Sequence, residues 1–389
     1  MTPVLRPCPV CGCCEAKPIH MNAMAALDGL DMSYRVAGCP GCGFAFADHL
    51  PPVERYDRYY RSLSKYDIVD DGSGISPTDS IRCAATVDLL RNSVPTTAAI
   101  ADLGCGSGVL LAALRNAGWT RLAGIDPAPA APQQARARFG IENVRSGRLA
   151  QAGTLLDLHH TDLVCLTGVM EHLPALRHDM ETLVANLAEH THILVEVPAL
   201  ERFASRPCEP FGEFSLEHIQ YFSTSSLVRF LATLGYEPRA TRIVELPAGS
   251  CDSLFGVFAR APLSGTPVTP VPCSDDGLAD YVVQSEACMA ACLAKISASA
   301  SQPLVLYGAG SHTARLLPRL SEPVNGRIAS IVDRNPNLHG KRLGRFAIEP
   351  PEALAGHPSA TIVVSAFRGQ QIIADMLRAS RPNPVLTLY

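Results

Sequence analysis

The sequence predicts an α/β protein made of two doubly wound units behind a small cysteine-rich module. Three observations carry this expectation. Apolar runs of strand length alternate with helical patterns from about Ile81 to Arg260, the alternation restarts near residue 301, and two C-x-x-C pairs precede both. The 389 residues suffice for two or three domains with a sizeable core. A hydrophobic content of 47% and a net charge of −4 argue against disorder and give no basic excess for nucleic acid. The start, MTPVLRPCPVCGC, lacks a charged-then-apolar leader, and no apolar run is long enough to span a bilayer. A cytoplasmic protein is expected, with neither membrane nor nucleic acid as partner. In a reducing compartment its 14 cysteines are not a disulfide framework.

Residues 1–52 form the cysteine module. Cys8 and Cys11 stand in CPVC, and Cys39 and Cys42 in CPGC. Two such knuckles a few tens of residues apart suit a tetrahedral structural zinc site. Each bends tightly enough to aim two thiolates at one ion, and four protein ligands leave no open position for chemistry. Cys13 and Cys14 compete with Cys11 for a place in the set. Free cysteines or a redox pair are the alternatives.

The segment VERYDRYYRSLSKY (53–66) reads as a Tyr-rich helix and loop opening the second unit, 53–260. In that unit AAIADLG, RLAGID, TDLVCLTG and THILVEV are the strands. Residues 261–300 form a Pro/Ser/Thr-rich linker and then an amphipathic helix over about 277–298. The last unit, 301–389, is a second Rossmann-like domain with strands in PLVLYG, RIASIVD and ATIVVSAF.

Two glycine loops follow strands. In ADLGCGSGVLLAAL, Gly104, Gly106 and Gly108 let the backbone turn tightly and approach a ligand, with Cys105 between the first two and Asp102 at the strand end. Asp126 ends the next strand, where a carboxylate can accept both ribose hydroxyls of an adenosine. In YGAGSHT, Gly308 and Gly310 follow a strand and Asp333 ends the next, but the third glycine is missing. The second loop therefore reads either as a nucleotide site or as a fold kept without a second cofactor. Elsewhere, FSLEHIQYFS places Glu217 beside His218, with Tyr221 three residues on. An imidazole titrating near neutrality suits a general base. The plainer reading is a helix start, with Ser223 or Thr224 capping the helix that follows.

D-x-G-C-G-S-G resembles the donor loop of class I S-adenosylmethionine-dependent methyltransferases, and Asp126 matches their ribose-binding acid. DLVCLTGVMEHL resembles their fourth strand, which implies that Thr167, Gly168 and Glu171 line the donor pocket. The whole order of zinc knuckles, Tyr-rich segment, donor domain, E-H-x-x-Y-F-S and Rossmann-like tail resembles the nucleotide-sugar C-methyltransferases of deoxysugar biosynthesis. That resemblance implies a nucleotide-linked 4-keto-6-deoxysugar as acceptor. It also implies His218 as the base that forms an enolate, and Glu217 as its partner at the site. RYYRSLS (58–64) resembles the family's N-terminal Tyr/Ser segment, which closes over the site; this brings in Tyr60 and Ser62 on the donor side, and Tyr59. From the chemistry, a hydroxyl of Tyr221 or of the 56–60 tyrosines would donate to the enolate oxygen. Two departures touch acceptor recognition. Ser215 stands where sugar-acting members tend to have Tyr, and LGRFAIEPPEAL replaces a longer Gly/Pro motif after VDRNPNLHGK. O- or N-methylation of a sugar or another secondary metabolite is the alternative. A non-catalytic scaffold and a nicotinamide oxidoreductase are the remaining readings.

Overall fold

The computed structural model describes residues 6–62, 74–205, 209–261, 277–299 and 302–389, with only the backbone at positions 53, 57 and 60–62. Most of the expected linker after 261 lies outside the described residues.

The N-terminal module is antiparallel, with β1 (Lys17–Asn22), β2 (Tyr34–Gly38) and β3 (Ala45–His49) paired in order. Helices α1 (Val53–Ser62) and α2 (Pro77–Arg91) follow. Ser76 starts α2 by accepting the Asp79 N–H at 3.0 Å, and Pro77 sits at the first helical position, where its missing N–H costs nothing.

The central sheet begins with β4 (Ala99–Leu103), β5 (Arg121–Asp126), β6 (Val144–Ser146), β7 (Leu163–Thr167) and β8 (His192–Pro198), all parallel. Helices α3 (Val109–Asn116), α4 (Ala131–Phe139), α5 (Ala152–Leu155) and α6 (Leu176–Ala185) lie between the strands in sequence. Strands covered on both faces read as continuous apolar runs, as in LVCLT. Next come β9 (Gln220–Tyr221) and α7 (Thr224–Thr233), with Ser223 as the cap, then β10 (Tyr236–Val244) and β11 (Ser253–Arg260), both antiparallel. The sheet order is β10-β11-β8-β7-β4-β5-β6.

Strand β9 departs from the expected division of the chain. It pairs with β3, so the strand just after Glu217-His218 completes the N-terminal sheet rather than the central one. Arg6 reinforces the join by donating to Pro174 O at 2.9 Å and to Gln220 Oε1 at 3.1 Å.

The C-terminal unit begins with the 21-residue α8 (Leu278–Ala298). The unit continues with β12 (Leu304–Tyr307), α9 (Ser311–Leu316), α10 (Glu322–Asn325), β13 (Ile328–Val332), β14 (Arg342–Leu343), β15 (Phe346–Glu349), β16 (Thr361–Val364), α11 (Gln370–Ser380) and β17 (Val385–Thr387). Its sheet order is β14-β15-β13-β12-β16-β17. Helix α8 buries Leu278, Tyr281, Ser285, Met289, Cys292 and Ile296, a stripe of three- and four-residue steps. The stripe joins Tyr34, Phe211, Phe214 and Leu304 in one core that spans the N-terminal module and the tail. The polar members of the stripe grip the stretch before His218. Ser285 Oγ accepts the Phe211 N–H at 3.1 Å, and Tyr281 Oη accepts the Glu213 N–H at 2.9 Å. Among the described residues no helix is long and apolar enough to cross a membrane.

Candidate active site

The four knuckle thiols converge. Cys8 and Cys42 sulfurs lie 3.5 Å apart, Cys11 and Cys39 sulfurs 3.4 Å apart, and all four lie within 4.8 Å of one another. Both knuckles use the same turn. Gly12 and Gly43 take φ of +76° and +73° and donate their N–H to Cys8 O and Cys39 O. Zinc–sulfur bonds of about 2.3 Å set tetrahedral sulfurs about 3.8 Å apart, so the set fits a structural zinc ion after a small adjustment. Cys14 points away from the set, toward Gly12 O.

At the first glycine loop, a Cβ at Gly104 (φ +98°) would come within 2.4 Å of Val169. At Gly106 (φ +50°) a Cβ would meet nothing within 4 Å, so the loop opens onto free space there. Gly108 leads into α3. Asp126 ties the loop down, accepting the Gly106 N–H on Oδ2 and the Ala128 N–H on Oδ1, both at 2.8 Å. Asp102 is buried, and its Oδ1 has no hydrogen-bond partner among the described residues. Burial, and then the Asp126 charge, push its carboxyl up to about 7 against the pull of Arg82.

Thr167 ends β7, and Gly168 follows at φ +68°. Glu171 lies in the next turn, with its carboxylate 3.7 Å from where a Gly168 Cβ would sit. Arg82 reaches the same place from α2 and pairs with the buried Glu196 of β8. Glu171 Oε2 is buried without a partner among the described residues, and burial pushes this carboxyl up to about 7.

Beyond Glu171 lies the Glu217-His218 turn. Ser215 Oγ accepts the N–H of Glu217 at 3.2 Å and of His218 at 3.0 Å, holding the pair in a side-chain-closed turn. Glu217 is buried, and its Oε1 accepts the Tyr59 hydroxyl at 2.6 Å. The His218 ring packs edge-on against His172 at a centroid distance of 4.9 Å. Its Nδ1 lies 3.7 Å from Glu213 Oε2. His172 donates from Nδ1 to Glu217 O at 3.1 Å, which turns its Nε2 toward Glu171 Oε1, 3.8 Å away. Burial pulls the His218 pKa down, but the nearby Glu213 carboxylate and the charges of Glu171 and Glu217 outweigh it and hold it above the usual value.

Tyr221 requires a correction. Expected as a hydroxyl donor to the acceptor, it is buried behind the turn and donates to His218 O at 2.8 Å. Tyr34 stands beside it and donates to Ser215 O at 2.7 Å. A Tyr hydroxyl reaches the Glu217-His218 turn from α1 instead, at Tyr59. The side chains of Tyr60 and Ser62 lie outside the described residues.

One continuous cavity of about 1620 Å³ joins the first loop, the Glu217-His218 turn and the second loop, including Arg334, Phe367 and Arg368. A drug-sized ligand occupies roughly 300–1,000 Å³, so the cleft has room for two ligands meeting end to end.

Residues 81–241 match the family model of a methyltransferase domain. The match marks a methyltransferase domain within the chain. Among solved structures, the chain is similar to Burkholderia thailandensis 1,6-didemethyltoxoflavin-N1-methyltransferase. That match has 18% identity, covers 56% of this chain and 96% of that one, and has a TM-score of 0.41. It is also similar to the magnesium protoporphyrin IX methyltransferase of Synechocystis PCC 6803. Here the identity is 17%, the coverage 54% and 94%, and the TM-score 0.37. A search of curated proteins gave no match. The residues of the first loop fit a donor that carries a ribose and a cationic methionine end. Asp126 braces the loop, Gly106 faces open space, and Asp102 and Glu171 hold buried acceptor oxygens without a partner among the described residues.

Sequence reasoning singled out none of Arg82, Glu213 and His172. Arg82 carries no motif signal. Glu213 did carry one, as a second acid five residues before His218 in the same short stretch.

Proposed function

We propose that this enzyme methylates a carbon beside the ketone of a nucleotide-linked deoxysugar, with His218 removing the proton. The observation that carries this reading is the position of His218, in the one cleft shared by the donor loop and the second glycine loop. The donor supplies a methyl group on a sulfonium cation. An acceptor carbon becomes nucleophilic only once deprotonated, and the acids around His218 favour its taking a proton. Glu213 orients the ring from one side and His172 packs on it from the other. Tyr59, which donates to Glu217 at 2.6 Å, is the hydroxyl we assign to the enolate oxygen, its O–H swinging from the carboxylate to the substrate. Helix α8 and the paired tyrosines fix the turn behind these groups, so the base is positioned before the acceptor arrives. The nucleotide is assigned to the second loop, where Arg334 and Arg368 supply cations and Phe367 a ring face.

The test is solvent exchange. With S-adenosylhomocysteine bound, a dTDP-linked 4-keto-6-deoxysugar should take up deuterium beside its ketone in deuterium oxide. His218→Asn should lose both exchange and methyl transfer, the latter by about 10²–10⁴-fold. Wild-type exchange in that variant would end the reading. Methylation without exchange would move the acceptor atom to oxygen or nitrogen.

A further inference from the structure

We infer that Glu171 is the group that balances the charge of the methyl donor, holding a proton in the empty cleft, releasing it when the cationic donor binds and regaining it at methyl transfer. The inference rests on the donor domain and not on the identity of the acceptor.

The charge inventory motivates it. Three buried carboxylates, Asp102, Glu171 and Glu196, line the donor side of the cleft around the Arg82 guanidinium. Arg82 is committed to Glu196 and, 3.7 Å away, to Asp79. Glu171 keeps a buried oxygen with no partner among the described residues. An isolated buried carboxylate is costly and neutralises itself by taking a proton. A cation placed beside it reverses that preference.

Placement supplies the second argument. Gly168 lies at the carboxyl edge of the sheet, where open α/β sheets bind their ligands, and Glu171 stands over it. On its other side, one carboxylate oxygen of Glu171 and one ring nitrogen each of His172 and His218 lie within 4.8 Å of one another. Glu171 thus lies between the donor loop and the base. The groups facing it are Arg82 and Asp79 from α2, Glu196 from β8, His172 from its own turn, and Glu213, Glu217 and His218 from the following stretch.

The reaction balances through this residue. The acceptor C–H bond breaks and its electron pair forms the new C–CH₃ bond. The carbon–sulfur bond breaks with its pair left on sulfur, so one positive charge disappears and one proton remains. His218 takes that proton first. Glu171, no longer facing a cation, is the acceptor within reach, and the net charge of the cleft is the same before and after transfer.

The test needs no acceptor. S-adenosylmethionine and S-adenosylhomocysteine are each titrated by calorimetry into the zinc-loaded full chain at pH 6, where Glu171 in the empty cleft is almost fully protonated, in two buffers of different ionisation enthalpy. S-adenosylmethionine should release close to one more proton per site than S-adenosylhomocysteine. Glu171→Gln should abolish the excess while still binding both ligands. In infrared difference spectra, the protonated carboxyl band of the empty protein should vanish with S-adenosylmethionine and persist with S-adenosylhomocysteine. Equal proton release for the two ligands would overturn the inference. So would an excess that survives Glu171→Gln and disappears in Asp102→Asn. Failure of S-adenosylmethionine to bind would remove the donor assignment as well. A negative solvent-exchange result on the sugar would leave this inference standing.

Discussion

The two glycine loops use one backbone device for opposite ends. Gly104 and Gly308 take φ of +98° and +110°. In each loop an aspartate from the next strand accepts a loop N–H and the N–H two residues beyond itself. Asp126 does so at 2.8 Å twice, and Asp333 at 2.7 Å twice. The side chains then diverge. Two residues before the first glycine stands the buried acid Asp102 in one loop and the buried Leu306 in the other. The third glycine, Gly108, is answered by His312, which is buried and bonded to Ser365 Oγ at 2.9 Å and Tyr389 Oη at 2.5 Å. Burial pulls His312 down to about 4, so it stays neutral. Arginines 334 and 368 line the cleft near this second loop. The backbone turn makes room for a ligand, and the flanking side chains decide its charge. The first loop suits a cation and the second an anion.

Exchanging the deciding residues tests this most severely. Leu306→Asp places an unpaired carboxylate in the C-terminal core and should cost about 3–5 kcal/mol, read as a lower denaturation midpoint for that domain. Asp102→Leu should instead leave stability intact and weaken S-adenosylmethionine binding about 10- to 100-fold by calorimetry. If Asp102→Leu binds the donor normally, the charge distinction between the loops is wrong. A smaller effect is expected at the rim. Arg334→Ala with Arg368→Ala should raise the acceptor KM about 5- to 10-fold, more at low salt than at high, with the donor Kd unchanged. The smallest effect lies between the loops. Glu213→Gln removes a group that raises His218, so its pKa falls. The base works deprotonated, and the acid limb of kcat/KM should therefore move to lower pH, with little change on the plateau.

Much of this was legible in the sequence where local rules decide. The alternation of apolar runs, the glycines after strands and the paired knuckles each depend on a few neighbouring residues. Position alone narrows the cap to Ser223 or Thr224, and Ser223 is the cap. The direction of the Tyr221 hydroxyl was not legible, because Tyr34, 187 residues away, shares its pocket and shapes its choice of partner. Ser215 looked like a lost recognition residue. In the fold its hydroxyl closes the turn that presents His218, a role that depends on main-chain geometry. Arg82 became visible only when α2 was laid across the carboxyl edge of the sheet.

Strand β9 has a consequence for how this molecule can be divided or recombined. The two residues of β9 belong by chain order to the catalytic unit and by hydrogen bonding to the cysteine module. A methyltransferase domain excised at 81–241 would keep the donor loop and lose the surface that fixes the base. Grafting this active site onto another scaffold therefore means moving two distant segments together. The boundary that matters for inheritance and for engineering runs through the sheet, across the chain rather than along it.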